Sequence, residues 1–365
     1  MCYTIIVGED MNTSEQALDH RCPSCGGKLL FTPSNGKWTC EYCASVFDLE
    51  TLQKFDNASN AKSNAQTNTV DDTSYVEYRC QNCGASIVAD DQTASTFCVY
   101  CGNTAILKSK LSGKFAPSKI IPFSKTKEEA ITAFKSLSKG RPLMPKFFNQ
   151  KENIEKISGV YIPFWLYTMM INAKADGKGE RVSTWTTGNY TYTKTDTYLV
   201  RRDVDLHFDR VPVDGSTRFA DDIMNSIEPF DYGKLVDYNH AYLSGFLAEK
   251  YDVEKEAAIK DAQNRVSNSA KDVLNQSMSQ YTFKNVNTDV NVKNVINTEY
   301  VLLPVWMVNV KFNGKFYTFA MNAQTGEFVG NIPVDVKKAF IIGSILFLSI
   351  VAIVILISFI TYLGG

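Results

Sequence analysis

The sequence predicts an α+β protein in three parts: an N-terminal third organised by cysteines, a mixed domain with an antiparallel sheet, and one apolar helix toward the C-terminal end. Three observations predict it. Eight of the nine cysteines fall into two identically spaced quartets. The middle of the chain alternates strand-like runs with one long amphipathic helical pattern. Residues 339–363 carry no charged side chain.

The first quartet is Cys22, Cys25, Cys40 and Cys43, and the second is Cys80, Cys83, Cys98 and Cys101. Each reads C-x2-C-x14-C-x2-C, and adding 58 to the first set gives the second. Two thiolates on one tight turn hold one edge of a tetrahedral ion. A second turn must supply the opposite edge, so the segment between them has to fold back. In the first quartet, residues 28–31 and 37–39 read as strands around the turn Pro33-Ser34-Asn35-Gly36. Asn-Gly suits such a turn because both residues tolerate positive φ. In the second, residues 86–89 and 95–97 flank a turn near Asp90-Asp91. A glycine follows the second cysteine of each leading pair, Gly26 and Gly84, where a knuckle needs backbone freedom. The spacing predicts two tandem four-cysteine zinc ribbons holding two structural Zn2+ ions.

Each ribbon spans roughly 30 residues, below the ~40 at which a hydrophobic core usually sustains a fold alone. Structural zinc contributes ~10–16 kcal/mol in such modules. Disulfides would need an oxidising compartment, and Met1-Cys2-Tyr3-Thr4 has no basic n-region of a secretory signal. Four protein ligands close each site, which argues against zinc catalysis. Cys2 lies outside the pattern.

The uncharged run of residues 339–363 would span ~37 Å as a helix, enough for a ~30 Å hydrocarbon core. Lys337-Lys338 precedes it. The positive-inside tendency then places the N-terminal bulk in the cytoplasm, on a single-pass, C-terminally anchored chain in the cell membrane. Reduced thiolates agree with that compartment.

The layout is an N-terminal segment (1–19), ribbon 1 (20–49), a polar linker (50–74), ribbon 2 (75–107), an α+β domain with a basic start (108–335) and the transmembrane anchor (336–365). The linker is rich in Asn, Ser, Thr and Ala and reads as flexible, making the ribbons tethered beads. Residues 127–137 pattern as a short helix and 159–173 and 190–213 as strands. Residues 252–278 pattern as a long helix whose stripe is Ile259, Ala262, Val266, Ala270, Val273 and Met278. Residues 300–311, 315–322 and 327–332 read as a meander with turns at Asn313-Gly314 and Thr325-Gly326. Tyr161-Ile-Pro-Phe-Trp165 echoes Leu302-Leu-Pro-Val-Trp306. A proline inside each strand points to a sheet edge or a bulge, and the two tryptophans to core in preference to the alternative of a paired, exposed binding groove.

Charge is near balance, 38 basic against 39 acidic side chains. Residues 108–156 hold 12 Lys/Arg and 4 Asp/Glu, a net of +8, whereas residues 75–107 hold one Arg and three acids. Nucleic-acid readers carry their positive charge on the reading face, so the ribbons do not look like readers; the basic stretch 108–156 either lies against anionic lipid headgroups or is a solvated surface. No H-E-x-x-H, P-loop or G-x-S-x-G motif occurs. Gly177-Lys178-Gly179 reads as a hairpin turn. Asp203, Asp205, His207 and Asp209 alternate with apolar residues, so a strand puts all four on one side. That face is either a divalent-cation site or a solvated outer surface.

The two quartets, with Val211-Pro-Val-Asp-Gly-Ser216, Tyr242-Leu-Ser-Gly-Phe-Leu-Ala-Glu249, Leu303-Pro-Val-Trp306 and Asn322-Ala-Gln-Thr-Gly326, carry a resemblance. The chain resembles the TFIIB-type zinc-ribbon membrane proteins of Gram-positive bacteria. Members are sometimes labelled as similar to the primosomal replication-restart helicase, and some are associated with phage-shock-protein-A-type membrane-stress systems. No ATPase motif accompanies the helicase label here. The resemblance implies a membrane-tethered, non-enzymatic adaptor that recruits cytosolic proteins, a phage-shock-protein-A-like protein among them. The alternative is a nucleic-acid-binding ribbon protein linked to replication or transcription at the membrane.

Overall fold

The computed structural model describes residues 22–55, 75–80, 84, 86–90, 98, 106–109, 117–137, 139–145, 150–154, 156–218 and 221–363. β1 (Leu29–Thr32), β2 (Lys37–Cys40) and β3 (Val46–Phe47) form a three-stranded sheet, and α1 follows at residues 49–55. β4 (Tyr75–Cys80), β5 (Ser86–Asp90) and β6 (Ile106–Ser109) belong to the second cysteine segment. β7 (Lys119–Ile120), α2 (Lys127–Ser136) and α3 (Lys151–Ile154) precede two long strands, β8 (Ser158–Thr187) and β9 (Tyr190–Asp214). Next come α4 (Asp221–Ser226), β10 (Val236–Asp237), β11 (Leu247–Glu249) and α5 (Lys255–Gln276). β12 (Phe283–Phe312), β13 (Lys315–Asn322), β14 (Phe328–Gly330) and α6 (Val336–Leu363) follow.

The α+β class stands, with a correction to the sheet, which is mixed. β11 runs parallel to β8 and β7 parallel to β12, while β8, β9, β12 and β13 pair antiparallel. The run 160–167 is buried at every position because both faces of the sheet are covered there. Tyr161, Trp165 and Tyr167 point to the face crossed by α5, and Ile162, Phe164 and Leu166 to the other. The α5 stripe is Ala258, Ala262, Val266, Ala270 and Leu274. It departs from the sequence expectation at two positions: Val273 is exposed, and Ile259 only half-buried. Three small alanines in that stripe let the helix lie close on the sheet. α2 carries a full capping box, with Glu129 N–H donating to Thr126 Oγ1 and Thr126 N–H to the Glu129 carboxylate.

The expectation of tethered ribbons is corrected. Trp38 is buried and donates its Nε1–H to Ala241 O at 2.8 Å. Phe31 N–H donates to Ser244 O, and the Phe31 and Trp38 rings pack on Tyr242. The second cysteine segment enters the main sheet, with Val88 opposite Ala248 and Ile87 opposite Glu249. Both cysteine segments are therefore walls of the body. A lone ribbon has too little core, and the large apolar surface at 241–248 supplies the missing contacts. Residues 56–74 lie outside the described residues, and α1 occupies the start of the expected linker.

Gly177 and Gly179 are also corrected: they lie inside β8, not at a turn. A Cβ on Gly177 would collide with Asn285 O, and one on Gly179 would strike the Tyr281 ring. The glycines permit close approach. The hairpin closes instead after Thr187, where Gly188 takes φ +61°.

The sequence echo marks two structurally equivalent units. Unit β7–α2–β8–β9 matches unit β11–α5–β12–β13. β11 Leu247 pairs with Val160, and β7 Lys119 with Val301. Trp165 Nε1–H donates to Val253 O and Trp306 Nε1–H to Lys125 O, each at 2.9 Å and each acceptor two residues before its helix. Gly215 N–H donates to Pro163 O and Ala323 N–H to Pro304 O. The pseudo-twofold passes between the paired residues Ile162 and Leu303. Each proline sits where one neighbouring strand has ended and the next begins, so its missing N–H leaves no acceptor unpaired.

α6 has 28 residues, ~42 Å of helix. Residues Val336–Ser358 have mean hydropathy 3.2 and none of the span is buried. Among the described residues, one helix is thus apolar enough to cross a membrane.

Candidate functional site: a thiol cluster and an aromatic arm

β1 and β2 are joined by the expected turn, with Gly36 at φ +65°, and bring two cysteine knuckles together. The ligand atoms of Cys22, Cys25, Cys40 and Cys43 all lie within 4.8 Å of one another. Cys22 Sγ is 3.6 Å from Cys43 Sγ, and Cys25 Sγ is 3.5 Å from Cys40 Sγ. Ligands ~2.3 Å from a tetrahedral ion stand about 3.8 Å apart, so this cluster could hold a metal ion. Cys22 and Cys40 are buried, whereas Cys25 and Cys43 face solvent.

The thiols differ electrostatically. Hydrogen bonds from the Ser45 side chain and backbone lower Cys43 to about 6. At Cys25 the Gly27 N–H favours the thiolate, but the hydrogen bonds with Cys40 and Cys43 outweigh it and push the thiol up to about 12. Four crowded thiols cannot all ionise without a cation among them.

Of the second quartet, Cys80 and Cys98 are buried, and Cys83 and Cys101 lie outside the described residues. Gly84, at φ +71°, accepts a hydrogen bond on its carbonyl from Arg218 Nη2 at 3.0 Å. The Arg218 Nε is 3.0 Å from Glu249 Oε1, a fully buried carboxylate that also accepts from Ser216 Oγ. Arg218 thus links this knuckle to a buried charge of the body.

Asp203, Asp205, His207 and Asp209 share the open face of β9, as alternation requires. Neighbouring strands engage the three carboxylates. Asn172 Nδ2 donates to Asp203 and Asp205, Lys174 pairs with Asp203, Lys293 with Asp205 at 2.7 Å, and Thr168 Oγ1 donates to Asp209. Asn172 holds Asp203 below the ordinary carboxylate range, with Lys174 adding to it, and Lys293 does the same for Asp205. This is a solvated cross-strand polar ladder. Trp165 and Trp306 are core, as expected.

The sequence reading missed a projecting arm. β12 begins opposite Glu180, so beyond that point β8 and β9 continue as a two-stranded hairpin. The cross-strand pairs Arg181–Asp196, Trp185–Tyr192 and Thr187–Tyr190 share one face, while Thr184–Thr193 and Thr186–Thr191 share the other. The rings of Trp185 and Tyr192 stack at 5.7 Å and 17°. Trp185, Tyr190 and Tyr192 are 49%, 72% and 48% exposed, so they serve no core. The visible signal was the strict alternation of Tyr190-Thr-Tyr192-Thr-Lys194-Thr. The register puts this tip far from α6. Gly330, just before α6, lies opposite Phe319, which lies opposite Val308, beyond the first residue of β8. The tip is at the last residue of that 30-residue strand, about 95 Å of strand away.

A relative from Bacillus subtilis (strain 168), "Uncharacterized protein YdjG", is 34% identical over 322 residues, covering 88% of this chain and 92% of the relative. No family model matches the chain. No solved structure matches either.

Proposed function

The chain belongs to the same family as YdjG of Bacillus subtilis, and for it we propose a membrane-anchored, non-enzymatic zinc-ribbon adaptor that recruits cytosolic proteins to the bacterial membrane. α6 is the anchor. Lys337 and Lys338 hold the bulk of the chain on the cytoplasmic side. Each cysteine quartet binds one structural Zn2+: the thiols of the first stand at the spacing that suits a tetrahedral ion, and the second repeats its sequence spacing. The ions shape surfaces and do no chemistry.

The observation that carries this reading is the arm. A folded protein rarely leaves a Trp and two Tyr exposed together on the end of a two-stranded hairpin. Aromatic side chains on a rigid element are the usual anchors of a protein interface. The tip stands at the end of the sheet opposite to α6, where it reaches past the membrane surface toward soluble partners. A membrane-stress protein of the phage-shock-protein-A kind is the partner suggested by the sequence resemblance.

The test is in-cell crosslinking of the tagged full chain at native level, beside the variant Trp185→Ala/Tyr190→Ala/Tyr192→Ala. Envelope proteins recovered with the parent and lost with the variant support the adaptor. Identical recovery from both removes the arm as the recognition surface.

The arm also favours one second reading. Arg181 lies 5.7 Å over the Tyr198 ring, and Lys194 sits between Tyr192 and Asp196 on the aromatic face. Bases stack on such surfaces with little sequence preference. That reading requires affinity for single-stranded nucleic acid that falls steeply with salt; no binding at low salt eliminates it.

A further inference from the structure

Where α6 leaves the body, a cavity of about 440 Å3 opens between residues 141–144 and 330–334. Two contacts fix α6 to its wall. Asp335 N–H donates to Leu143 O at 2.9 Å, and Lys338 Nζ donates to Met144 O at 2.7 Å. The apolar span starts at Val336, so the cavity lies level with the edge of any bilayer that α6 crosses.

Its lining is amphipathic. Pro142, Leu143, Ile332 and Pro333 supply apolar wall, and the exposed Arg141 is the charged residue of the lining. Lys139 and Lys337 are exposed nearby in sequence on the two flanking segments, and Lys338 is half-buried. Among the described residues, Lys139, Arg141 and Lys337 form no ion pair. Asp335 is the carboxylate of this segment. Its Oδ1 accepts from the Lys337 and Lys338 N–H groups, which occupies the helix N-terminus and leaves the side-chain cations as the positive feature. Val334 and Val336 are exposed, as suits side chains that meet acyl chains.

We propose that this cavity holds the headgroup of an anionic phospholipid whose acyl chains lie along α6. The proposal rests on α6 being a membrane span. A monoanionic phosphodiester matches Arg141 with its flanking lysines, whereas a zwitterionic headgroup brings a cation of its own. Basic pockets beside transmembrane helices are suited to anionic headgroups, and each Lys or Arg adds about fivefold in affinity.

The test uses the full chain in nanodiscs of phosphatidylcholine mixed with phosphatidylglycerol, followed by gentle extraction and mass spectrometry of the retained lipid. The expected result is preferential retention of phosphatidylglycerol, reduced about fivefold by Arg141→Gln and further by Lys139→Gln/Arg141→Gln. Equal retention of both lipids, or an unchanged ratio in the variants, overturns the proposal. Displacement of the lipid by soluble glycerol phosphate also overturns it, assigning the cavity to a free phosphoester. Flotation of the same protein with vesicles separates the failures. A chain that floats without headgroup preference loses only the cavity assignment, and one that does not float loses the anchor as well.

Discussion

Cys43 and Cys25 are both exposed, yet their environments push them in opposite directions, to about 6 and about 12. In metal-stripped protein at neutral pH, iodoacetamide should modify Cys43 well before Cys25, as peptide mapping would read; equal rates would mean that the Ser45 hydrogen bonds do not set the difference. The sign of the pH dependence follows. Cys43 falls from an ordinary value of 9.0, so its contribution to the metal-free fold is complete above pH 9 and disappears as pH falls through about 6. Metal binding needs thiolates and should weaken on the same side. Trp38 shows what spacing cannot reveal. Its place on the returning strand of the first hairpin was legible, but its hydrogen bond to Ala241 O spans 203 positions. Trp38→Phe should leave that carbonyl unpaired, cost about 1–3 kcal/mol and raise hydrogen exchange at residues 239–246. Unchanged exchange there would show that the indole does not hold the docked segment.

At the element scale, strands and helices with strong apolar periods were visible: α2, α5, the inner part of β8, β9 and the β12–β13 hairpin with Asn313 and Gly314 at positive φ. The outer halves of β8 and β12 were not. Residues 174–187 and 283–299 are too polar to read as strand, because solvent covers most of their side chains and the pairing partner alone makes them extended. Gly177 misled for the same reason: glycine marks close approach as readily as it marks a turn. Gly177→Ala should push β8 from β12 at Asn285, cost about 1–3 kcal/mol as an overpacking change, and open the arm to protease. An arm as resistant as the parent would contradict the contact. The two equivalent units, too, showed in sequence only as two short proline-tryptophan strings. Their equivalence emerges from hydrogen bonds made by Trp165 and Trp306 to segments far away in sequence.

At the scale of the whole molecule, the docking of both cysteine segments changes what metal removal should do. Isolated ribbons would unfold alone. Here chelation should also loosen residues 239–249, which touch Trp38 and pair with β5, while the β8–β12 centre stays protected. Hydrogen exchange with and without chelator decides this; full protection at 239–249 after chelation would return the segments to independence. Deleting residues 336–365 should release the chain from the membrane fraction, and retention there would refute α6 as the anchor. The sequence by itself determined the first thiol quartet, the apolar span, the α+β class and the polar face of β9, because each depends on local spacing or on a period of two or four residues. Only the tertiary structure decided that the cysteine segments are walls of the body, that two equivalent units pair about Ile162 and Leu303, and that Trp185 and Tyr192 end an arm rather than fill a core. Those outcomes depend on which apolar surfaces meet across hundreds of residues, and burial, unlike spacing, is a property of the assembled chain.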